Sequence, residues 1–406
     1  MISDQTITEI INTYLPIRNE EKNKYGEVFT SPVLIHDMYN QLPKHVWTNP
    51  LLKWLDPTGG VGNFLLIAYQ KLMIGLEPWE LDEGKRSQHI LNNMLYTVEI
   101  NEENTSIMKQ LFVNVLHEDF LQSNVFDLFF DVVVGNPPFQ DIVIGKKRIG
   151  CKNKLYERIT SKCIDILNPG GYLLFIVPDN MFSGNTSIYL KMMKLHLILL
   201  HFDKKIQTFF PKIQQSFCYF LLEKIAKNVN GHPVQIVGQD NKSFECVLTS
   251  RQVNPVRNWS HETETLMSQY MGSTINTAIY HRGKPLASYL EQGLYPLIFK
   301  PDKKLFVNRL DLAPGLGQKK VVIFIISPQL HFEMDFTGEF GVGPNTIYIP
   351  FQTDEEGLLL VDFFNSDIYK ILALATKVNR QFLKIKFIQY LNLNKVLSNN
   401  DNDNDK

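Results

Sequence analysis

A chain of 406 residues with 44% hydrophobic composition and a net charge of −1 is long enough for two domains with sizeable cores. Its four cysteines, Cys151, Cys163, Cys218 and Cys246, form no CxxC pair, which excludes a disulfide framework or a cysteine-based zinc site and points to reduced thiols in an intracellular protein. The start, MISDQTITEI, lacks a basic segment followed by an apolar core, and no apolar run approaches bilayer length, so neither a secretory signal nor a membrane span is expected.

The charge is unevenly spread. Residues 1–140 hold 9 Lys/Arg against 18 Asp/Glu, a net of −9, whereas residues 141–396 hold 31 against 21, a net of +10. A basic second part suits a polyanionic partner.

In chain order, residues 1–24 carry Ile7, Ile10, Ile11, Tyr14 and Leu15 at helical spacing. Thr30 or Ser31 can cap a helix over Pro32–Leu42, since Pro is favoured in a first turn. A strand over Leu51–Leu55 runs into Asp56-Pro57-Thr58-Gly59-Gly60-Val61-Gly62-Asn63-Phe64, and a helix over Phe64–Leu72 follows. Strand, glycine turn and helix together form the nucleotide-binding arrangement, with the backbone open to a ligand and the helix N-terminus facing its negative group. No Lys-Ser/Thr follows the glycines, so this is not a P-loop.

Residues 75–92 read as a polar insertion before a second strand, Leu95–Ile100, which carries Glu99 near its end. A carboxylate there is where a dinucleotide fold holds ribose hydroxyls. Its separation from Gly62, 37 residues, exceeds the usual ~20, and the insertion accounts for the excess. A helix over Asn101–Leu111 and a strand over Val113–His117 close on Glu118-Asp119-Phe120. Asp119 could accept from an adenine amine and Phe120 could pack on its ring.

The run Asp131-Val132-Val133-Val134 predicts a buried strand, ended by Gly135 and followed by Asn136-Pro137-Pro138-Phe139. An amide, a rigid carbonyl and an aromatic ring then stand where ligands collect in open α/β sheets. That set suits a planar base with an exocyclic amine. The segment Asp141–Lys154 is basic and glycine-punctuated, with Lys146, Lys147 and Arg148 as candidate phosphate contacts. Further elements are a helix over Leu155–Leu167, a turn at Asn168-Pro169-Gly170-Gly171, and strands over Tyr172–Val177, Leu195–Phe202 and Ser216–Glu223, the last two as a hairpin-like edge. From about residue 229 the alternation is lost, short β-type runs such as Val321–Ile326 and Thr346–Ile349 appear, and residues 357–392 turn helical with Lys377, Arg380, Lys384 and Lys386. The end, NNDNDNDK, is low-complexity and expected to be disordered.

The order YGEVFTSP, DPTGGVGNFL, Glu99, Asp119-Phe120, NPPF and NPGGYLLFIVP resembles the N6-adenine DNA methyltransferases of restriction–modification systems, in the gamma-class motif order. The resemblance covers about the first 225 residues motif by motif. Beyond them, FFNSDIYKILALATKVNRQFL is similar to an asparagine-serine helix near the end of the family's recognition domain. It implies an α/β fold, a Rossmann-like S-adenosylmethionine-dependent methyltransferase sheet followed by an irregular α+β target recognition domain. The implied boundaries are 1–229 for catalysis, 230–395 for DNA recognition and 396–406 for a tail.

Carried over by position, the resemblance implies that Thr30, Asp56, Thr58, Gly60 and Gly62 hold the methionine end of S-adenosylmethionine. It assigns Glu99 to the ribose, and Asp119, Phe120 and Pro138 to the adenine. Asn136, Pro137 and Phe139 would take the target base. Two departures stand out: Ser31 separates Thr30 from Pro32, and Gly59 occupies a position usually held by another small residue or Cys. The implied reaction transfers a methyl group to N6 of an extruded adenine in duplex DNA, with no metal. The implied protein is a monomer, paired or not with a separate cognate restriction endonuclease. The alternative is methylation of RNA or of a protein glutamine, since NPPF-type motifs occur there too; about 180 residues after the motifs count against the glutamine enzymes.

Overall fold

The computed structural model describes residues 30–139, 154–184, 186–210, 216–226, 232–248, 252–283, 288–326, 330–377 and 383–398. The expected helix of residues 1–24, the segment carrying Lys146, Lys147 and Arg148, Arg380 and the tail from 399 lie outside them. The chain divides into two compact units, Met1–Met181 with Thr186–Thr249, and Phe182–Asn185 with Ser250–Lys406.

The first unit is built on a nine-stranded sheet. Its strands are β1 (Trp54–Asp56), β2 (Leu95–Glu99), β3 (Asn114–His117), β4 (Phe130–Gly135), β5 (Leu167–Pro178), β6 (Leu195–His201), β7 (Phe217–Ala226), β8 (Val234–Val237) and β9 (Ser243–Cys246). The order is β3-β2-β1-β4-β5-β7-β6-β8-β9, with β3 through β5 mutually parallel and β7 antiparallel to both β5 and β6. The expected hairpin-like pair is present, since β6 and β7 are antiparallel neighbours, with β7 the member that lies against β5. The sheet also continues past residue 229, since β8 and β9 extend its β6 edge.

Successive strands run outward from β1 to β3 on one side and from β4 to β5 on the other. The reversal between β1 and β4 is a topological switch point, where the carboxyl ends open a crevice. At the opposite end Asp131 ties the strands together, accepting from the Lys53 amide and Asn168 Nδ2 at 2.8 Å each.

Helices pack on the sheet as apolar faces demand. Helix α1 (Pro32–Tyr39) buries Leu34, Ile35, Met38 and Tyr39, and α2 (Asn63–Gly75) buries nearly all of its first two turns. The polar stretch 75–92 lies between α2 and β2 and carries elements of its own. Asp82 caps α3 (Glu83–His89) by accepting the Lys85 amide, and a π turn over Ile90–Met94 buries Ile90 and Met94. Helix α4 (Glu102–Met108) is capped by Asn101, and α5 (Leu155–Ile166) buries Tyr156, Ile159 and Cys163. Strand β1 starts at Trp54 rather than Leu51, because pairing with β2 and β4 begins there and Leu51 is exposed. The expected turn at residues 168–171 survives as a register shift within β5, between the Leu167 and Tyr172 pairings, with Gly170 at φ 78°.

The second unit holds two sheets. The larger, antiparallel one has the order β10 (Ile279–His281), β16 (Thr346–Pro350), β13 (Lys320–Phe324), β14 (Phe332–Asp335). The smaller joins β12 (Lys303–Val307), β11 (Tyr295–Lys300) and β15 (Gly341–Val342). Apolar residues of β13 and β16 share a core with those of helices His261–Tyr270, Asp354–Asn365, Asp367–Thr376 and Ile385–Gln389. The FFNSDIYK stretch is a break between two of these helices. Ser366 Oγ accepts the Tyr369 amide to cap the second one.

Candidate active site

The crevice at the switch point gathers residues from three distant segments. Thr30, buried just before α1, accepts a 3.0 Å hydrogen bond at Oγ1 from Asn136 Nδ2, across 106 positions of chain. The Thr30 carbonyl accepts from Asn63 Nδ2 at 3.3 Å. The residue before α1, the first residue of α2 and the first residue after β4 are thus stitched together. These bonds use the NH2 ends of both amides, so Oδ1 is the acceptor end at Asn136 and at Asn63. Asn63 was not singled out by sequence, although it stands directly behind Gly62.

The glycine turn between β1 and α2 is held from three sides. The Gly59 amide donates to Val98 O at 3.0 Å, the Gly60 amide to Glu99 Oε2 at 2.7 Å and the Thr58 amide to Asp56 Oδ1 at 3.1 Å. Gly62 adopts φ 91°, a left-handed conformation that only glycine takes without strain. Gly59 reflects crowding: a Cβ there would lie 2.2 Å from Thr97 Oγ1 and 2.9 Å from Met108 Sδ. The departure from the family pattern at this position therefore has a local cause. Glu99 also accepts the Asn101 amide at 2.7 Å, and is almost fully buried.

Asp56 is 1% exposed, and burial pushes its carboxyl up to about 7 although the Thr58 amide works the other way. It crowds the end of β4 as well, since a Cβ on Gly135 would lie 2.9 Å from Asp56 Oδ1.

Beyond β3, Asp119 organises a turn. Its Oδ1 accepts the Leu121 amide at 3.0 Å and its Oδ2 accepts Gln122 Nε2 at 3.1 Å. Phe120 is buried beside it, with Lys162 Nζ 4.8 Å from the ring centroid. After β4, Pro137 is buried while Asn136, Pro138 and Phe139 are partly exposed. Phe139 packs on Phe217 at 4.8 Å between centroids, and Phe217 packs on Phe210 at the same distance. Neither Phe210 nor Phe217 carries a sequence signal that separates it from ordinary core.

Among the described residues, two buried acceptors flank the glycine turn without a hydrogen-bond partner, Asn63 Oδ1 and Thr58 Oγ1. With Asp56 they form an acceptor set suited to an ammonium group, and the first turn of α2 offers backbone N–H groups to a carboxylate. An amino-acid end fits this cradle, and Glu99 closes its far side at the end of β2. No group of His, Cys, Asp and Glu among the described residues is arranged to hold a metal ion, and no described helix is long and apolar enough to cross a membrane.

Comparison with known proteins finds similarity to restriction-modification methylases. Residues 63–210 match the Eco57I restriction-modification methylase family. An uncharacterized adenine-specific methylase of Mycoplasma pneumoniae (strain ATCC 29342 / M129 / Subtype 1) is 23% identical over 285 residues, covering 48% of this chain and 66% of that protein, just under two thirds of its length. Among solved structures, a nuclease-deletion mutant of the Type ISP restriction-modification enzyme LlaGI in complex with a DNA substrate mimic superposes with a TM-score of 0.54 at 11% identity, over 95% of this chain and 55% of that one. The ATP-dependent Type ISP restriction-modification enzyme LlaBIII bound to DNA gives 0.51 at 12% identity, over 95% and 41%. The likeness to these two is one of fold. The matched residues 63–210 carry the start of α2, Glu99, Asp119-Phe120 and the NPPF end of β4, so the similarity to the Eco57I restriction-modification methylase family falls on the part of the chain that forms the switch-point crevice.

Proposed function

We propose that this chain is a site-specific DNA methyltransferase that moves a methyl group from S-adenosylmethionine to N6 of adenine in duplex DNA. The observation that carries the reading is the Asn136 Nδ2 to Thr30 Oγ1 bond, which turns the Asn136 carbonyl end into a fixed acceptor at the switch-point crevice. Bound S-adenosylmethionine supplies an activated methyl group on a sulfonium. Asp56, Thr58, Asn63 and the Gly60–Gly62 backbone hold its amino-acid end, Glu99 its ribose, and Asp119, Phe120 and Pro138 its adenine.

Adenine N6 is a weak nucleophile because its lone pair is delocalised into the ring. Asn136 Oδ1 and the Pro137 carbonyl accept its two N–H bonds and favour the positive charge that develops on attack, which is electrostatic preorganisation. The proton leaves after transfer, so no strong general base is assigned. The target leaves the duplex to reach the site. Phe139 stacks on it, worth roughly 1–3 kcal/mol by analogy with single-strand stacking.

The second unit is assigned to DNA recognition, and Lys146, Lys147 and Arg148 to phosphate contacts. Each contact adds about −0.9 to the slope of log K against log salt. Replacing all three by Ala flattens the slope by roughly two to three units; an unchanged slope in fluorescence anisotropy removes this assignment. The function itself is tested by incubating the protein with labelled S-adenosylmethionine and unmodified DNA, RNA and protein, then digesting the DNA to nucleosides. N6-methyl-2′-deoxyadenosine from the DNA is expected. Label confined to RNA or to protein glutamine overturns the reading.

A further inference from the structure

Lys162 stands on α5 with its ammonium at the turn that follows β3. Its Nζ donates to the carbonyls of Phe120 and Ser123, each at 2.5 Å, and lies over the Phe120 ring. Those carbonyls sit near the two ends of one short turn, so a single cation spanning them sets its width. Inside the turn, the Asp119 carboxylate takes the Leu121 amide and the Gln122 side chain, and the Asp119 carbonyl takes the Gln122 and Ser123 amides. The turn is closed from within by Asp119 and braced from α5 by Lys162.

We propose that Lys162 is a positioning residue for the adenine end of the cofactor, fixing the Asp119–Ser123 turn and the Phe120 ring in the geometry that receives it. The inference rests on the cofactor reading above. Three features support it. The ammonium covers one face of the Phe120 ring, a cation–π contact that fixes the tilt of the ring and leaves the ligand to meet it from elsewhere. The hydrogen bonds from Nζ to Phe120 and Ser123 go to backbone carbonyls, so their effect falls on the path of the turn. Burial pulls the Lys162 ammonium below its ordinary pKa, although Cys163, Asp119 and Glu118 work to raise it. A Met of similar length would fill the same space without that desolvation.

The test compares the full-length wild type with Lys162→Met and Lys162→Arg. Calorimetry is run with S-adenosylmethionine and with 5′-methylthioadenosine, which carries the adenine without the amino-acid end. Lys162→Met is expected to weaken both by about tenfold or more, and to speed hydrogen exchange at the Leu121–Ser123 amides. At saturating cofactor its kcat should stay within about twofold of wild type, because the rate-determining groups lie elsewhere. Lys162→Arg, which keeps a cation and its donors, should recover most of the affinity. A folded Lys162→Met with wild-type affinity for both ligands overturns the assignment alone, as does a fall in kcat with unchanged KM. Should Lys162→Met not fold, Lys162→Gln carries the same comparison, with an intermediate loss expected and wild-type affinity overturning the idea. A wild-type protein that binds neither ligand overturns the cofactor reading and this assignment with it.

Discussion

The Glu99 carboxylate accepts the Gly60 amide through Oε2 and the Asn101 amide through Oε1, each at 2.7 Å. One side chain at the end of β2 thereby sets both the glycine turn after β1 and the entry to α4. Glu99→Gln keeps the shape but places an NH2 group against one of two N–H donors. Leaving a buried donor unmet costs about 1–3 kcal/mol, so urea unfolding should show a loss of that size. Cofactor affinity should fall in the same variant, because the turn and the proposed ribose contact share this carboxylate. Unchanged affinity in calorimetry would assign Glu99 to architecture alone.

Asn136 separates chemistry from binding. Asn136→Ala removes the bond to Thr30 Oγ1 and, with it, the proposed acceptor for N6–H. Loss of an aimed polar group of this kind costs roughly 10²–10³ in rate, while cofactor affinity should hold within a small factor. Thr30→Val keeps the shape and removes only the brace, so its rate should fall by less. The double variant should be no worse than Asn136→Ala, since residues acting as one unit are not additive. Wild-type turnover in Asn136→Ala on DNA would make the bond structural.

Much of this candidate site was legible in sequence because its residues stand at the ends of strands. A β-branched run closed by a glycine locates β4, and the strand–glycine–helix unit locates the start of α2, so Asp56, Gly62, Glu99 and Asn136 follow from pattern. What pattern could not supply was contact across the crevice. Asn63 looks like an ordinary first helical residue until its amide meets Thr30 from the far side. Lys162 is one polar position on an amphipathic helix, and its meaning comes from the Phe120 and Ser123 carbonyls. The antiparallel pairing of β6 with β7 follows from two consecutive strands, whereas the place of β7 next to β5 and the extension of the sheet by β8 and β9 come only from the registers.

Within the second unit, Lys320 and Asp335 form an ion pair at 2.6 Å with both side chains essentially inaccessible. Burial works to raise the Asp335 carboxyl, and the Lys320 ammonium with the Phe340 and Gly338 amides outweighs it, holding the group below its ordinary range. The pair fixes β13 against the end of β14 and the loop after it. Lys320→Met leaves a buried carboxylate without its counter-ion, which typically costs about 3–5 kcal/mol. Urea unfolding should show that loss. A change under about 1 kcal/mol would mean that the backbone amides alone satisfy Asp335.

Asp56 gives the first unit a pH dependence of definite sign. Its folded pKa, about 7, lies above the ordinary 3.8, so the folded chain binds the extra proton. The stability tied to that proton is fully present below the unfolded pKa and is lost as pH rises through the folded one. Between pH 5 and pH 8 the loss amounts to roughly 2–3 kcal/mol. Asp56→Asn keeps an acceptor for the Thr58 amide and removes the titration, so it should gain stability relative to wild type across that interval. Thermal unfolding at both pH values checks this; parallel curves would mean that Asp56 ionises in the fold as freely as in the unfolded chain. The same group links to the cofactor reading. An ammonium held by Asp56, Thr58 and Asn63 favours the charged carboxylate. Binding S-adenosylmethionine near pH 6.5 should then release a proton, and Asp56→Asn should abolish the release. Calorimetry in two buffers of different ionisation enthalpy measures it directly, and binding without proton release would place the ammonium away from Asp56.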